Sequence, residues 1–320
     1  MKSSTPTGQS NCKLQAAAKA KNDEFYTMFS DVEKELRFYR EHFRGKTIFL
    51  NCDDDTSNFW KFFQLNFEFF GLKKLVATHY ETENASYKLE MTGPTSIFET
   101  KLSGNGDFRS PESVAIMKEA DIVITNPPFS LFREFVAQLV EHGKKFLIVG
   151  NKNAITYKEI FPLIKANKLW LGIHLARWYV LPDSAAKWDK LDENGKKLAE
   201  APGLWFTNLE HSQRNEDIVL YKDYTPDEFP TYDNFNAIEV SKSADIPVGY
   251  NGVMGVPITF LNKYNPNQFE IIGFDYEVKS GEIEGVAKSE WNGKLDRAYL
   301  NNKRMYARIL IKAKNHANHA

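Results

Sequence analysis

The tetrapeptide Asn126-Pro127-Pro128-Phe129 closes the apolar run "ADIVIT". With proline near 5% of residues, Asn-Pro-Pro-aromatic arises by chance in only about one chain of this length in several hundred. A residue before proline is driven out of the helical region, and each proline fixes its own φ while removing an N–H. The result is a stiff, extended exit from a strand, rich in acceptors and nearly devoid of backbone donors. Asn126 offers a side-chain carbonyl, Pro127 a main-chain carbonyl aimed into the same space, and Phe129 a flat apolar face. Two fixed acceptors beside a ring suit a planar base that carries an exocyclic amino group. That nitrogen is a poor nucleophile because its lone pair is delocalised. Hydrogen bonds from both of its N–H groups localise the pair, most effectively where water is excluded. Stacking on Phe129 adds about 1–3 kcal/mol. A base inside a duplex must be flipped out to reach such a pocket. A plain Asn-Pro turn is the alternative, and the position at the end of a buried strand weighs against it.

The elements that must position these residues follow from periodicity. Ser30 and Glu33 form a capping-box pair ahead of Val32, Leu36, Tyr39 and Phe43, which predicts a helix over 31–43 ended by Gly45. "KTIFLNC" is a strand, "NFWKFFQLNFEFF" a helix stopped by Gly71, and "KKLVATHY" a strand. Residues 80–106 read as irregular. Ser110-Pro111 opens a helix to about Glu119, "DIVIT" is a strand, and "LFREFVAQLVEH" is a helix closed by Gly143. "KKFLIVGN", the helical "YKEIFPLIKANK" and "LWLGI" continue the alternation. Strands alternating with helices predict a doubly wound α/β sheet, whose ligands bind at the carboxyl ends of the strands. "ARWYVLP" and "LWFTNL" read as an antiparallel edge of the same sheet, with a charged insertion between them. From residue 223 the chain becomes loop-rich, which predicts a smaller second region over 223–320 after a first domain over 21–222 and a loose arm over 1–20.

The chain resembles the EcoRI-type adenine-specific DNA methyltransferases, whose hallmark is Asp/Asn/Ser-Pro-Pro-Phe/Tyr. "KNDEFYT", "GKTIFLNCDD", "ETKLSGNGDFRS", "ADIVITNPPFSLFREF", "LWFTNL" and "GVMGVPITFLNKYNPNQFEIIGF" occur in the family's order over residues 21–310. The resemblance implies a Rossmann-like methyltransferase sheet, S-adenosyl-L-methionine as cofactor, duplex DNA as partner, and a C-terminal target-recognition region. It gives Asn126, Pro127, Pro128 and Phe129 the catalytic role. Tyr26 and Thr27 of "DEFYT" would lie at the cofactor, Thr27 on its carboxylate. Asp53 or Asp54 would hold its amino group or ribose, and Asp107 and Phe108 its adenine. The first strand departs from the family's pattern, because "NCDDDTSN" has no glycine; Asp53 to Asp55 equally suit a helix cap. Glu81 is a further candidate for the acid after the second strand. Trp178, Tyr179 and the segment from Lys187 to Lys197 are candidates for DNA-side contacts. The implied target sequence is the family's GAATTC.

Composition sets the outer bounds. At 320 residues, 42% hydrophobic and 14% aromatic, the chain can build a packed core. Cys12 and Cys52 support no disulfide framework, and a reducing cytoplasm fits best. No apolar run approaches a signal peptide or a membrane span. His79, His142, His174 and His211 lack metal-ligand spacing, so no metal is expected. The net charge of −1 means that any DNA contact depends on locally gathered lysine and arginine. Nothing requires more than a monomer. Two rival readings stay open: amino-methylation of RNA or of protein glutamine, and a non-catalytic cofactor- or DNA-binding relative.

Overall fold

The computed structural model describes residues 26–81, 85–181, 185 and 187–314, with only the backbone of Tyr26 included. The arm expected over residues 1–20 and the Asp23–Phe25 part of "DEFYT" lie outside the described residues. Two compact units emerge. The first takes the described residues up to Pro162 and Leu169–Glu210; the second takes Leu163–Lys168 and the described residues from His211 onward. The chain leaves the first unit at Glu210, where composition places the change near residue 222. Gln268 ties the intervening segment to the second unit, accepting from the Ile218 N–H and donating to its carbonyl at 2.8 Å each.

The first unit is one sheet with helices. Its strands are β1 (Tyr26–Thr27), β2 (Thr47–Asn51), β3 (Lys74–Thr78), β4 (Tyr87–Gly93), β5 (Ser96–Lys101), β6 (Ile122–Thr125), β7 (Lys145–Asn151), β8 (Trp170–Val180), β9 (Lys190–Leu191) and β10 (Lys197–Thr207). Its helices are α1 (Phe29–Leu36), α2 (Arg40–Phe43), α3 (Asn58–Leu65), α4 (Phe67–Phe70), α5 (Pro111–Glu119) and α6 (Phe132–Glu141), and a short α7 (Phe161–Lys165) follows β7. The strands lie in the order β1-β8-β10-β7-β6-β2-β3-β4-β5, with β9 on β10. The four central strands β7, β6, β2 and β3 are parallel and the rest are antiparallel. This is the expected Rossmann-like α/β fold. Every position of β2 and β6 is buried, which is why their centres, Ile48–Leu50 and Ile122–Ile124, are apolar without alternation. Aromatic edges pack the helices together: Phe43 meets Phe63 at 5.3 Å and Phe70 at 5.4 Å between ring centres.

Local expectations hold where a cap defines them. Ser110 accepts from the Ser113 N–H and Pro111 opens α5, while Gly71, at φ 60°, stops α4. Others need correcting. The single helix expected over 31–43 begins at Phe29 and breaks into a 3₁₀ turn at Arg37–Tyr39, and its cap is the backbone of Met28, not the Ser30 hydroxyl. Residues 80–106 include the hairpin β4–β5: Leu89 and Met91 point inward with the period of two, and β4 pairs with β3. The helix expected over 157–168 is only α7. "LWLGI" and "ARWYVLP" merge in β8, antiparallel to β10.

The second unit holds β11 (Lys222–Asp223), β12 (Ala237–Glu239), β13 (Pro247–Val248), β14 (Val253–Pro257), β15 (Phe269–Phe274), β16 (Tyr299–Leu300), β17 (Lys303–Arg304) and β18 (Arg308–Ala313). Four form a sheet in the order β12-β14-β18-β15, and β11–β13 and β16–β17 are separate pairs. Tyr232, Phe235 and Leu310 anchor its core. Among the described residues no helix is long and apolar enough to cross a membrane.

Candidate active site

The neighbours of β2 decide where a ligand can bind. The chain runs from β2 to β3 on one side, then returns to β6 on the other. The carboxyl ends of β2 and β6 therefore flank the point where strand order reverses, the usual ligand crevice of such sheets. A single side chain joins the two ends. The Thr125 hydroxyl, at the last position of β6, lies 2.7 Å from the Asn51 carbonyl and 2.8 Å from Asp53 Oδ2. Asn51 is tied in turn to β3 by the Thr78 hydroxyl, which donates to its Oδ1 at 3.1 Å.

Beyond these ends lies a cleft, walled by residues of several elements. Asn126, Pro128 and Leu131 come from the exit of β6, and Cys52, Asp53 and Asp54 from the exit of β2. Ser57, Asn58 and Phe59 form the start of α3, while Thr27 belongs to β1. His79 and Tyr80 follow β3, and Asp107, Phe108 and Arg109 precede α5. The structure thus brings together seven of the ten expected site residues: Thr27, Asp53, Asp54, Asp107, Phe108, Asn126 and Pro128. Pro127 is buried and does not line the cleft. Phe129 also lies off its wall. It packs half-buried against the main core, its ring edge-on to Tyr179 at 6.0 Å and 89°. Tyr26 reaches the region through its backbone, paired with Val180 of β8.

The missing glycine has a structural substitute. Cys52 takes φ 61°, a left-handed conformation rare for a residue with a side chain, directly after β2. The chain therefore turns sharply there without glycine. At Gly106 (φ 79°) a side chain would overlap the His79 carbonyl, so this glycine brings the Asp107-Phe108 loop against the end of β3.

The carboxylates separate by their partners. Asp54 Oδ1 accepts from the Thr56 N–H (2.8 Å), the Thr56 hydroxyl (2.6 Å) and the Ser57 N–H (3.1 Å), and its Oδ2 lies 3.3 Å from His79 Nδ1. That group serves its own turn, as the cap reading allowed. Asp53 makes the contact to Thr125 at the crevice, and burial, ahead of its hydrogen bonds, pushes its carboxyl up to about 7. Asp107 is gripped by Arg109 through Nε at 2.9 Å and Nη2 at 2.6 Å, which holds its carboxyl below the usual range. Phe108 is buried edge-on to Phe135 at 5.1 Å, so its ring is a wall of both core and cleft. The Thr27 hydroxyl is buried and has no hydrogen-bond partner among the described residues, although its carbonyl accepts from Asn58 Nδ2 at 2.7 Å.

Sequence reasoning missed Cys52, Ser57, Asn58, Phe59, His79, Tyr80, Arg109 and Leu131. Ser57, which accepts from the Trp60 N–H at 3.0 Å, was findable as the cap of a helix that starts directly after the first strand. Glu81 does not line the cleft; its Oε1 lies 3.2 Å from His79 Nε2. Tyr179, considered as a DNA contact, is fully buried, with its hydroxyl on the Ala176 carbonyl at 2.9 Å. Trp178 and the 187–197 segment carry a cation–ring contact, Lys190 Nζ standing 3.8 Å above the Trp178 ring.

The family model described as "Adenine-specific methyltransferase EcoRI" matches residues 13–314. Among curated proteins, the chain is similar to the type II methyltransferase M.EcoRI of Escherichia coli, at 43% identity over 95% of this chain and 97% of that protein. It is also similar to the type II methyltransferase M.MpnI of Mycoplasma pneumoniae, 43% identical over 80% of this chain and 83% of that protein. M.MgeORF184P of Mycoplasma genitalium is 40% identical over 92% and 97%, respectively.

Proposed function

Since this chain belongs to the EcoRI adenine-specific methyltransferase family and is a DNA adenine methyltransferase of restriction-modification type, we propose that it methylates the 6-amino group of an adenine flipped from duplex DNA, with S-adenosylmethionine as donor. One observation carries this reading: Asn126 and Pro128 line a single cleft at the strand-order reversal together with Thr27, Asp53, Asp54, Asp107 and Phe108, residues matched to cofactor binding. A protein-glutamine or RNA acceptor could use the same cleft, and it is the family membership that favours DNA.

The cleft suits S-adenosylmethionine. The buried, unpartnered Thr27 hydroxyl has a donor to give to a carboxylate. Asp53 would take the amino group, because Asp54 is committed to its own turn. Asp107 and Phe108 would hold the adenine, by a hydrogen bond and by packing. When bound, the cofactor supplies an electrophilic methyl group on a sulfonium.

The protein's own part is to prepare the nitrogen. Thr125, bonded to the Asn51 carbonyl, fixes the end of β6 one residue before Asn126. The Asn126 side-chain carbonyl, at the cleft wall, accepts one amino N–H, and the Pro127 carbonyl, which does not line the cleft, would accept the other after a shift on base binding; together they localise the lone pair and aim it. Such fixed dipoles cost no reorganisation during the reaction. The prolines contribute no N–H that would compete for those acceptors. Phe129, which packs against Tyr179 and the core off the cleft wall, would have to turn toward the cleft to stack on the flipped base. No covalent enzyme intermediate is required.

The unit bearing the cleft is the catalytic one, and the region from residue 223 reads the target. By resemblance GAATTC is the first sequence to test. Sequencing with base-modification detection, on DNA from cells expressing the protein, reports the acceptor base and its site together. Labelled methyl transfer to unmodified duplex, RNA and protein separates the acceptors. Incorporation into RNA or protein but not duplex would reject the reading.

A further inference from the structure

The β16–β17 hairpin of the second unit is held far more firmly than its size requires. Asn301 and Asn302 make its two-residue turn, at φ 51° and 59°, the mirror-image turn that matches strand twist. The Asp233 carboxylate accepts from both turn N–H groups, at 3.3 Å and 2.7 Å. Below the turn, two fully buried side chains grip three successive backbone positions. Asn234 donates to the Arg297 carbonyl at 2.8 Å and accepts from the Tyr299 N–H at 2.9 Å. Asp275 accepts from the Ala298 N–H at 3.2 Å between them.

Burying polar groups is expensive unless they are bonded, and two-residue strands bury little in return. The left-handed preference of asparagine explains the turn residues but not this anchor. What the anchor presents outward is polar and basic. Asn301, Asn302, Lys303, Arg304 and Tyr306 are exposed, Tyr306 at 88%. The side-chain amides of Asn301 and Asn302 make no hydrogen bond among the described residues, and Arg304 pairs with Asp296 at 2.9 Å. From Lys288 to Arg304 there are five basic residues and two acidic ones, in a chain of net charge −1.

A two-stranded ribbon fits the major groove, where an asparagine amide matches the acceptor and donor of an adenine edge. Lysine beside it meets phosphate. We propose that the β16–β17 hairpin enters the major groove of the duplex, with Asn301 and Asn302 reading base edges and Lys303 contacting the backbone. The proposal rests on duplex DNA being the substrate and names which part of the chain recognises it.

Glycine keeps a positive φ while deleting the amide, so Asn301→Gly/Asn302→Gly preserves the turn. The full chain is assayed on a duplex bearing the site found by modification sequencing, and on duplexes with single base changes. The expected result is a fall of about tenfold or more in the kcat/KM ratio of cognate to altered duplex, with cofactor affinity within about twofold. Lys303→Ala, an exposed change that leaves the fold alone, should weaken every duplex alike and reduce the salt slope of binding by about one. An unchanged ratio together with an unchanged salt slope overturns the proposal. A wild-type chain that methylates no duplex instead overturns the substrate reading on which it rests.

Discussion

Two clusters, one from each unit, are held by different physics. The first packs its helices through Phe43, Phe62, Phe63 and Phe70, with ring centres 5.3–6.1 Å apart and no polar group among them. The second joins β12 to β18 with a buried charge. Arg308 donates to Glu239 through Nε and Nη2, at 3.0 Å and 2.7 Å, and the Tyr232 hydroxyl donates to the same carboxylate. Aromatic packing shows in a sequence as periodicity. A contact between residues 69 positions apart does not. The difference explains why the strand end carrying Asn126 could be placed from its residues alone, whereas the anchors of the β16–β17 hairpin could not.

The largest expected effect tests that contrast. Arg308→Met leaves Glu239 buried without its partner and should cost about 3–5 kcal/mol of stability by chemical denaturation. Glu239→Leu/Arg308→Met, which removes both charges, should recover most of the loss. A single variant that costs under about 1 kcal/mol would mean that the second unit rests on its apolar core after all.

Next in size is the cleft itself. Asn126→Ala should lower methyl transfer by about 10²–10³-fold, the scale of one preorganised dipole, while cofactor affinity stays within a few-fold. Labelled methyl incorporation and calorimetry measure the two separately, and near-normal transfer would remove Asn126 from its role. Thr27→Val keeps the shape and deletes the hydroxyl. If that hydroxyl meets a carboxylate, affinity for S-adenosylmethionine drops by about 10- to 100-fold, or 1.5–3 kcal/mol. Because the buried hydroxyl has no hydrogen-bond partner among the described residues, stability measured without cofactor should hold or rise. Equal affinity in both proteins would place the carboxylate elsewhere.

The legible part of the molecule follows from local rules. β2 and β6 are buried at every step, with apolar centres at Ile48–Leu50 and Ile122–Ile124, Ser110-Pro111 carries its own cap, and Asn126-Pro127-Pro128 limits its own backbone. Ser30 misled because a cap signature competes with the backbone of Met28, which starts the helix two residues earlier than the hydroxyl could. The choice between Asp53 and Asp54 stayed open because it depends on Thr125, 72 residues away, and on the turn through Thr56 and Ser57. His79 and Arg109 enter the cleft only because Gly106 lets two loops meet, which no spacing announces.

Asp53 gives the smallest and most specific test. Its carboxyl titrates near 7, chiefly through burial, with Asp54 adding repulsion and Thr125 and Ser57 opposing. The folded-state pKa is raised, so its contribution to stability is present at low pH and is lost as pH rises through about 7. The Thr125 hydroxyl has one proton for two acceptors, and a protonated Asp53 can donate to it while it donates to the Asn51 carbonyl. A cationic amino group placed against Asp53 requires the charged form. Affinity for S-adenosylmethionine should therefore rise about tenfold between pH 6 and pH 8, with a proton released on binding. Calorimetry in buffers of different ionisation enthalpy reads that proton directly. In Asp53→Asn both the pH slope and the proton should vanish, and their survival would move the amino group to another acid.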